Sequence, residues 1–121
     1  MSPPSPADGR LIDTQALEAA LAEFARARDW DRFHTPRNLL LALTGEVGEL
    51  VEIFQWLTDA QADTIMHTHQ AEHVRQEVAD VLLYLMRLAM VLGIDVDGAV
   101  RDKIAMNALK YPPLPEPPNN P

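Results

Sequence analysis

The chain has 121 residues, 47% of them hydrophobic and 23% charged, which is enough for one domain with a real core. A formal charge of −8 argues against a nucleic-acid or anionic-membrane binder, and the lack of cysteine excludes a disulfide scaffold and a thiolate zinc site. The longest apolar run, Val81 to Met86, is too short to span a bilayer and no secretory signal opens the chain, so a cytoplasmic protein is expected.

Residues 1–12 are expected to be disordered, and 113–121 to form a flexible proline-rich tail. Between them, Pro36 is the one proline before Pro112, which predicts an all-α domain over 13–112. A first helix is predicted from about Thr14 to Asp29, with Leu17, Leu21 and Phe24 at helical spacing. Thr35 as cap and Pro36 at the first helical position open a second, running to about Trp56 or Leu57. A polar connection, Thr58 to Thr68, leads to a third helix from about His69 to Leu92, stopped by Gly93. Asp95 is expected to cap a fourth, which ends at Lys110 before Tyr111-Pro112. The result is a four-helix-bundle-like protomer. The late third helix is apolar nearly all round, which in so small a protomer implies burial by a partner chain, hence an obligate oligomer.

The informative residues are acids on apolar faces. At about 100° per residue, Glu46 falls inside the stripe of Leu39, Leu43, Val47, Leu50 and Phe54, and Glu49 falls on its edge. On the third helix Glu77 lies among Val74, Val81, Tyr84 and Leu88, with Asp80 on the edge. Residues three apart share a face, so each pair can reach one point. Counted outward from the connection, both pairs lie on the order of 12 Å along antiparallel axes. Four carboxylates in a partly apolar setting must protonate, find bases or bind cations. Arg37, Arg75 and Lys103 are the bases that could pair with them, and Arg87 is the one base clearly near the third-helix pair. All-oxygen donors suit Mg²⁺ or Mn²⁺, and Mg²⁺ commonly bridges carboxylates to phosphates. The expected site is a divalent-metal centre that receives a polyphosphate.

The pattern Glu46-x-x-Glu49 followed by Glu77-x-x-Asp80 resembles that of the all-α nucleoside triphosphate pyrophosphohydrolases, the MazG-like superfamily. The stretches Arg28-Asp29-Trp30 to Phe33-His34, Pro36-Arg37-Asn38 to Glu49-Leu50 and Phe54-Gln55-Trp56 look most like its dCTP pyrophosphatase branch. So do Asp80 to Leu85 and the ending Lys103, Asn107, Lys110-Tyr111-Pro112. The resemblance implies a tetramer with sites at protomer interfaces and Mg²⁺-dependent hydrolysis of a nucleoside triphosphate to monophosphate and pyrophosphate. By position it assigns Glu46, Glu49, Glu77 and Asp80 to the metal. It assigns Trp30, His34, Trp56 and Tyr84 to the base and sugar, Asn38 to substrate binding, and Lys103, Asn107, Lys110 and Tyr111 to phosphates or sugar. Eukaryotic members carry a histidine where this chain has Leu21, a departure that bears on base preference. The chemistry would be in-line attack of water on the α-phosphorus, oriented by Glu49 or else by Glu46. Other readings are a dUTPase or broad-specificity pyrophosphatase of the same superfamily, or a non-catalytic helical metal-binding module. A di-iron bundle would want Glu-x-x-His pairs, which neither motif supplies.

Overall fold

The computed structural model describes residues 9–115. The first eight residues of the expected disordered segment and the last six of the proline-rich tail lie outside them. Among the described residues every regular element is helical: α1 Gln15–Ala27, α2 Pro36–Phe54, the short α3 Asp59–Asp63, α4 Ala71–Leu92 and α5 Val96–Lys110, with a 3₁₀ turn at Ile65–His67. No helix among them is long and apolar enough to cross a membrane. The chain divides into two units, one covering 15–94 and the other joining its N-terminal residues through Thr14 to those from Asp95 on.

In the 15–94 unit, local chemistry sets each boundary. α1 stops at Ala27, two residues before the expected Asp29, because Asp29 adopts the left-handed conformation at φ 56°. The Trp30 amide then donates back to the Ala25 carbonyl at 2.9 Å, closing the helix end and setting Trp30 beside Phe24 at 5.5 Å between rings. Thr35 opens α2 as expected: its hydroxyl accepts from the Asn38 amide at 3.2 Å, and Pro36 takes the first position. The connection is more ordered than its polarity suggests. Thr58 and Gln61 satisfy each other's amides in a reciprocal cap, and Ile65 is buried beneath. α4 ends at Gly93, left-handed at φ 71°, where the Ile94 amide reaches the Ala89 carbonyl at 2.8 Å.

Glu46 lies beside Glu77 and Asp80, while Glu49, Glu52 and Ile53 share a cleft with Gln70 and His73, so α2 and α4 run antiparallel. α1 packs on α4. The apolar core of the described residues is small: Ala25, Leu39, Ile65, Val74, Met86 and Ala89. Meanwhile Leu40, Leu41, Val47, Val51, Val78, Leu82 and Leu85 stay between 42% and 60% exposed. So large an apolar surface on so small a unit is characteristic of a chain that associates.

In the second unit, Asp95 stands at the N-cap of α5 but makes no side-chain cap bond. Its carboxylate lies instead against Gly98, where an added Cβ would meet Oδ2 at 2.5 Å and push the Asp95 side chain aside. Asp97, in the first turn of α5 and 4% exposed, ties down the N-terminal segment instead. Its Oδ1 accepts from the Leu11 and Ile12 amides at 2.7 and 3.0 Å, and its Oδ2 from Arg101 at 2.9 Å. The Ile12 amide, then the Leu11 amide and Arg101, hold the Asp97 carboxyl below its ordinary range, although burial opposes them. A depressed folded-state pKa contributes stability that is present above the unfolded pKa and lost as pH falls through the folded one. Asp97→Ala is therefore expected to lower the melting temperature by about 5 °C at pH 7, and by progressively less as acid protonates the carboxylate, in thermal melts at fixed protein concentration.

Candidate metal and nucleotide site

Glu46 comes from the middle of α2 and Glu77 and Asp80 from the facing stretch of α4. One carboxylate oxygen of each lies within 4.8 Å of the others. Both helices stop short of their expected ends at the connection, so the acids lie nearer the helix ends than the sequence suggested. Glu49 lies five residues before the end of α2 and Glu77 six after the start of α4, about 8–9 Å along each axis. The equal height expected of the two motifs survives because both helices shorten together.

Glu77 is 7% exposed, and Oε2 of both Glu46 and Glu77 is buried without a hydrogen-bond donor. Burial raises the Glu46 carboxyl from 4.5 to about 7, helped by a hydrogen bond shared with Glu77 and by the charges of Glu49, Asp80 and Glu77. Near neutral pH the Glu46 carboxyl therefore tends to keep a proton, which lessens the repulsion when no cation is bound. Two of the bases expected near the acids are engaged elsewhere. Arg75 pairs with Glu72 at 3.0 Å and Arg87 with Asp31 at 2.6 Å. Two orphaned buried oxygens and a third carboxylate within reach, with no lysine or arginine paired to them among the described residues, fit a hard divalent cation. The fourth expected ligand stands apart. Glu49 is exposed and lines the neighbouring cleft with Glu52, Ile53, Gln70 and His73. Its position at the stripe edge carries its carboxylate past the other three, near enough to raise the Glu46 carboxyl but outside the three-oxygen cluster.

Asp80 also lines a cavity of about 410 Å³ formed by α1, the α1–α2 turn and α4. Leu17, Leu21, Phe24, Trp30, Leu83 and Tyr84 make it largely apolar, and His34 and Arg87 add polar groups. Its size falls in the range of roughly 300–1,000 Å³ usual for small-molecule sites. Trp30 and His34 stand 5.9 Å apart between ring centres, with a tilt of 54°. Burial, and then the charge of Arg87, lower the His34 pKa, which Asp31 only partly offsets.

Asn38 donates from Nδ2 to the Phe33 carbonyl at 3.0 Å and so braces the turn that carries His34. Trp56 is 86% exposed just beyond the end of α2. Lys103, Asn107, Lys110 and Tyr111 all lie exposed on α5 or its C-terminal cap. Sequence reasoning missed Asp31 as the partner of Arg87, because 56 residues separate them. It also missed His73, whose half-exposed side chain brings Nε2 to 3.5 Å from Glu77 Oε1 at the i, i+4 spacing that would have shown this. Trp30→Ala removes an aromatic wall of the cavity. It is expected to raise KM for a bound nucleotide by about tenfold with little change in kcat, by steady-state kinetics.

Comparison with known proteins followed the same outline. A model of the MazG-like family matches residues 42–116. Over 92 residues the chain is 48% identical to dCTP pyrophosphatase 1 of Rattus norvegicus and to that of Homo sapiens, covering 75% of this chain and 54% of each relative. It is 33% identical over 91 residues to the dATP/dGTP diphosphohydrolase of Cyanophage S-2L, covering 75% of this chain and 70% of that protein. The crystal structure of a pyrophosphatase from Archaeoglobus fulgidus superposes with a TM-score of 0.77 at 39% identity, covering 83% of this chain and 93% of that one. The chain spans about half the length of the mammalian relatives it matches.

Proposed function

The chain belongs to the MazG-like family, and from that premise we propose that it hydrolyses a deoxynucleoside triphosphate, dCTP or a modified dCTP, to the monophosphate and pyrophosphate. The observation that carries this reading is the double membership of Asp80, which belongs to the carboxylate cluster and also lines the apolar cavity. A nucleotide is a ligand with these two ends, an aromatic base and a phosphate chain that needs cations in an acidic protein. The mammalian relatives named for dCTP favour the pyrimidine. The phage relative named for dATP and dGTP keeps purines in the test.

In this reading Glu46, Glu77 and Asp80 hold Mg²⁺ or Mn²⁺, with Glu49 at the edge of the same centre. When bound, the cation supplies charge neutralisation and Lewis acidity at the phosphates. Glu49, exposed beside the cluster, orients a water for in-line attack on the α-phosphorus and takes its proton, with Glu46 the second candidate. Trp30 and Tyr84 hold the base, and the aliphatic wall of Leu17, Leu21 and Leu83 excludes solvent from it. The catalytic domain corresponds to about 13–112, in a protein of the cytoplasm.

The exposed apolar face of α2 and α4 supports a homotetramer. Association would cover that face, and would explain why Trp56 and the α5 residues Lys103, Asn107, Lys110 and Tyr111 are exposed here. They would complete a site shared between protomers. Size-exclusion chromatography with light scattering should give a mass near four times 13.5 kDa. A stable monomer would refute the assembly. The function itself is tested by a panel of deoxynucleotides, ribonucleotides and 5-modified dCTP, assayed for pyrophosphate with and without Mg²⁺. Cation-dependent pyrophosphate from a cytosine deoxynucleotide is the expected result. Cation binding without hydrolysis of any nucleotide would instead indicate an interaction module.

A further inference from the structure

His34 sits at the wall of the apolar cavity with one of its two ring nitrogens already committed. Arg87 donates from Nε to His34 Nδ1 at 3.0 Å. The guanidinium is itself held from behind, by Nη2 on Asp31 Oδ1 at 2.6 Å. The Arg87 side chain is only 12% exposed, whereas Asp31 is 58% exposed at the far end of the chain of contacts. Arginine has no acceptor and stays protonated, so the nitrogen facing it must present its lone pair. A neutral imidazole with Nδ1 as acceptor carries its proton on Nε2. The relay of Asp31, Arg87 and His34 thus leaves one free ring nitrogen, and that nitrogen is a donor.

We propose that Arg87 is a specificity-determining positioning residue. By locking His34 in the Nε2–H tautomer, it makes the histidine a hydrogen-bond donor that selects ligands presenting an acceptor edge, such as the O2 and N3 side of cytosine. This deepens the nucleotide reading and rests on it. Arg87 acts through His34, whose tautomer would otherwise be free to exchange. The remaining walls of the cavity are mainly apolar, so one fixed donor carries much of its discrimination. A buried donor left unmatched by a wrong ligand is costly.

Long-range ¹⁵N NMR of the histidine side chains tests the lock directly. In the wild-type protein His34 should show Nδ1 unprotonated and Nε2 protonated, as a single tautomer. In Arg87→Met it should become a mixture, and KM for dCTP should rise about tenfold with kcat within about twofold. KM for a base-free deoxyribose triphosphate should stay unchanged. Asp31→Ala, at an exposed position, gives a second route should Arg87→Met fail to fold: it removes the anchor and should shift the tautomer balance and KM in the same direction. A wild-type His34 protonated at Nδ1, or a tautomer unmoved by either variant, overturns the proposal. So does an equal rise in KM for the base-free substrate. If the wild type hydrolysed no nucleotide, the enzyme reading would fail while the NMR result still decided the lock.

Discussion

Glu77→Gln is expected to lower pyrophosphate release by about a thousandfold or more while leaving the helices intact. Glu77 is the most buried acid of the cluster, and its Oε2 has no donor to satisfy it. An amide in its place keeps the volume but presents one neutral oxygen and a pair of N–H groups that no hard cation accepts. Stability should move the other way. With one carboxylate fewer, the like-charge repulsion that adds to burial in raising the Glu46 carboxyl is weakened.

That raised value sets a pH dependence in the metal-free protein. The unfolded chain releases the Glu46 proton near 4.5, while the folded protein keeps it to about 7. Stability from this group is therefore fully present below about pH 4.5 and is lost as pH rises to about 7. The loss is on the order of 1–2 kcal/mol, reduced from the full shift because the carboxylate is partly solvated. Metal-free wild type should lose melting temperature across that window, and Glu46→Gln should not. Thermal melts at pH 5 and 8 in chelator distinguish the two, and a wild-type protein equally stable at both would contradict the assignment.

Leu39→Ala is expected to cost about 3 kcal/mol, measured by urea denaturation at fixed protein concentration. Leu39 is the one large side chain among the described residues that is fully buried, at 1% exposure, and it sits in the first turn of α2. A core of six apolar residues has few neighbours able to relax into the gap. The position also lies directly after the turn that presents His34, so nucleotide affinity should weaken along with stability. Leu40→Ala, one residue on and 53% exposed, should cost under about 1 kcal/mol in the same assay unless association buries it. A large loss there would itself indicate a partner on the exposed face.

Much of the site was legible because helical periodicity is a strong signal. Glu46, Glu77 and Asp80 were found by asking which acids fall on apolar faces, and the three converge as the 3.6-residue period requires. Thr35, Pro36 and Gly93 marked their boundaries because capping is local chemistry. The errors are local too. Asp29 as a left-handed terminator looks like any other aspartate in sequence, and Asp95 resembles a cap although Asp97 holds the N-terminal segment. Glu49 is a different matter: spacing gives a face but not how far along it a flexible carboxylate reaches, so its place at the edge of the cluster is seen only in three dimensions. The relay of Asp31, Arg87 and His34 was illegible for another reason: it depends on a tertiary contact between the α1–α2 turn and the C-terminal half of α4.

The central claim is that Glu46, Glu77 and Asp80 together form a divalent-cation site. Calorimetric titration with Mn²⁺ at pH 8, on wild type and on Glu77→Gln, measures it without reference to any nucleotide. Saturable binding by the wild type, weakened at least about tenfold in Glu77→Gln, is the predicted result. Equal affinity in the two proteins would contradict it.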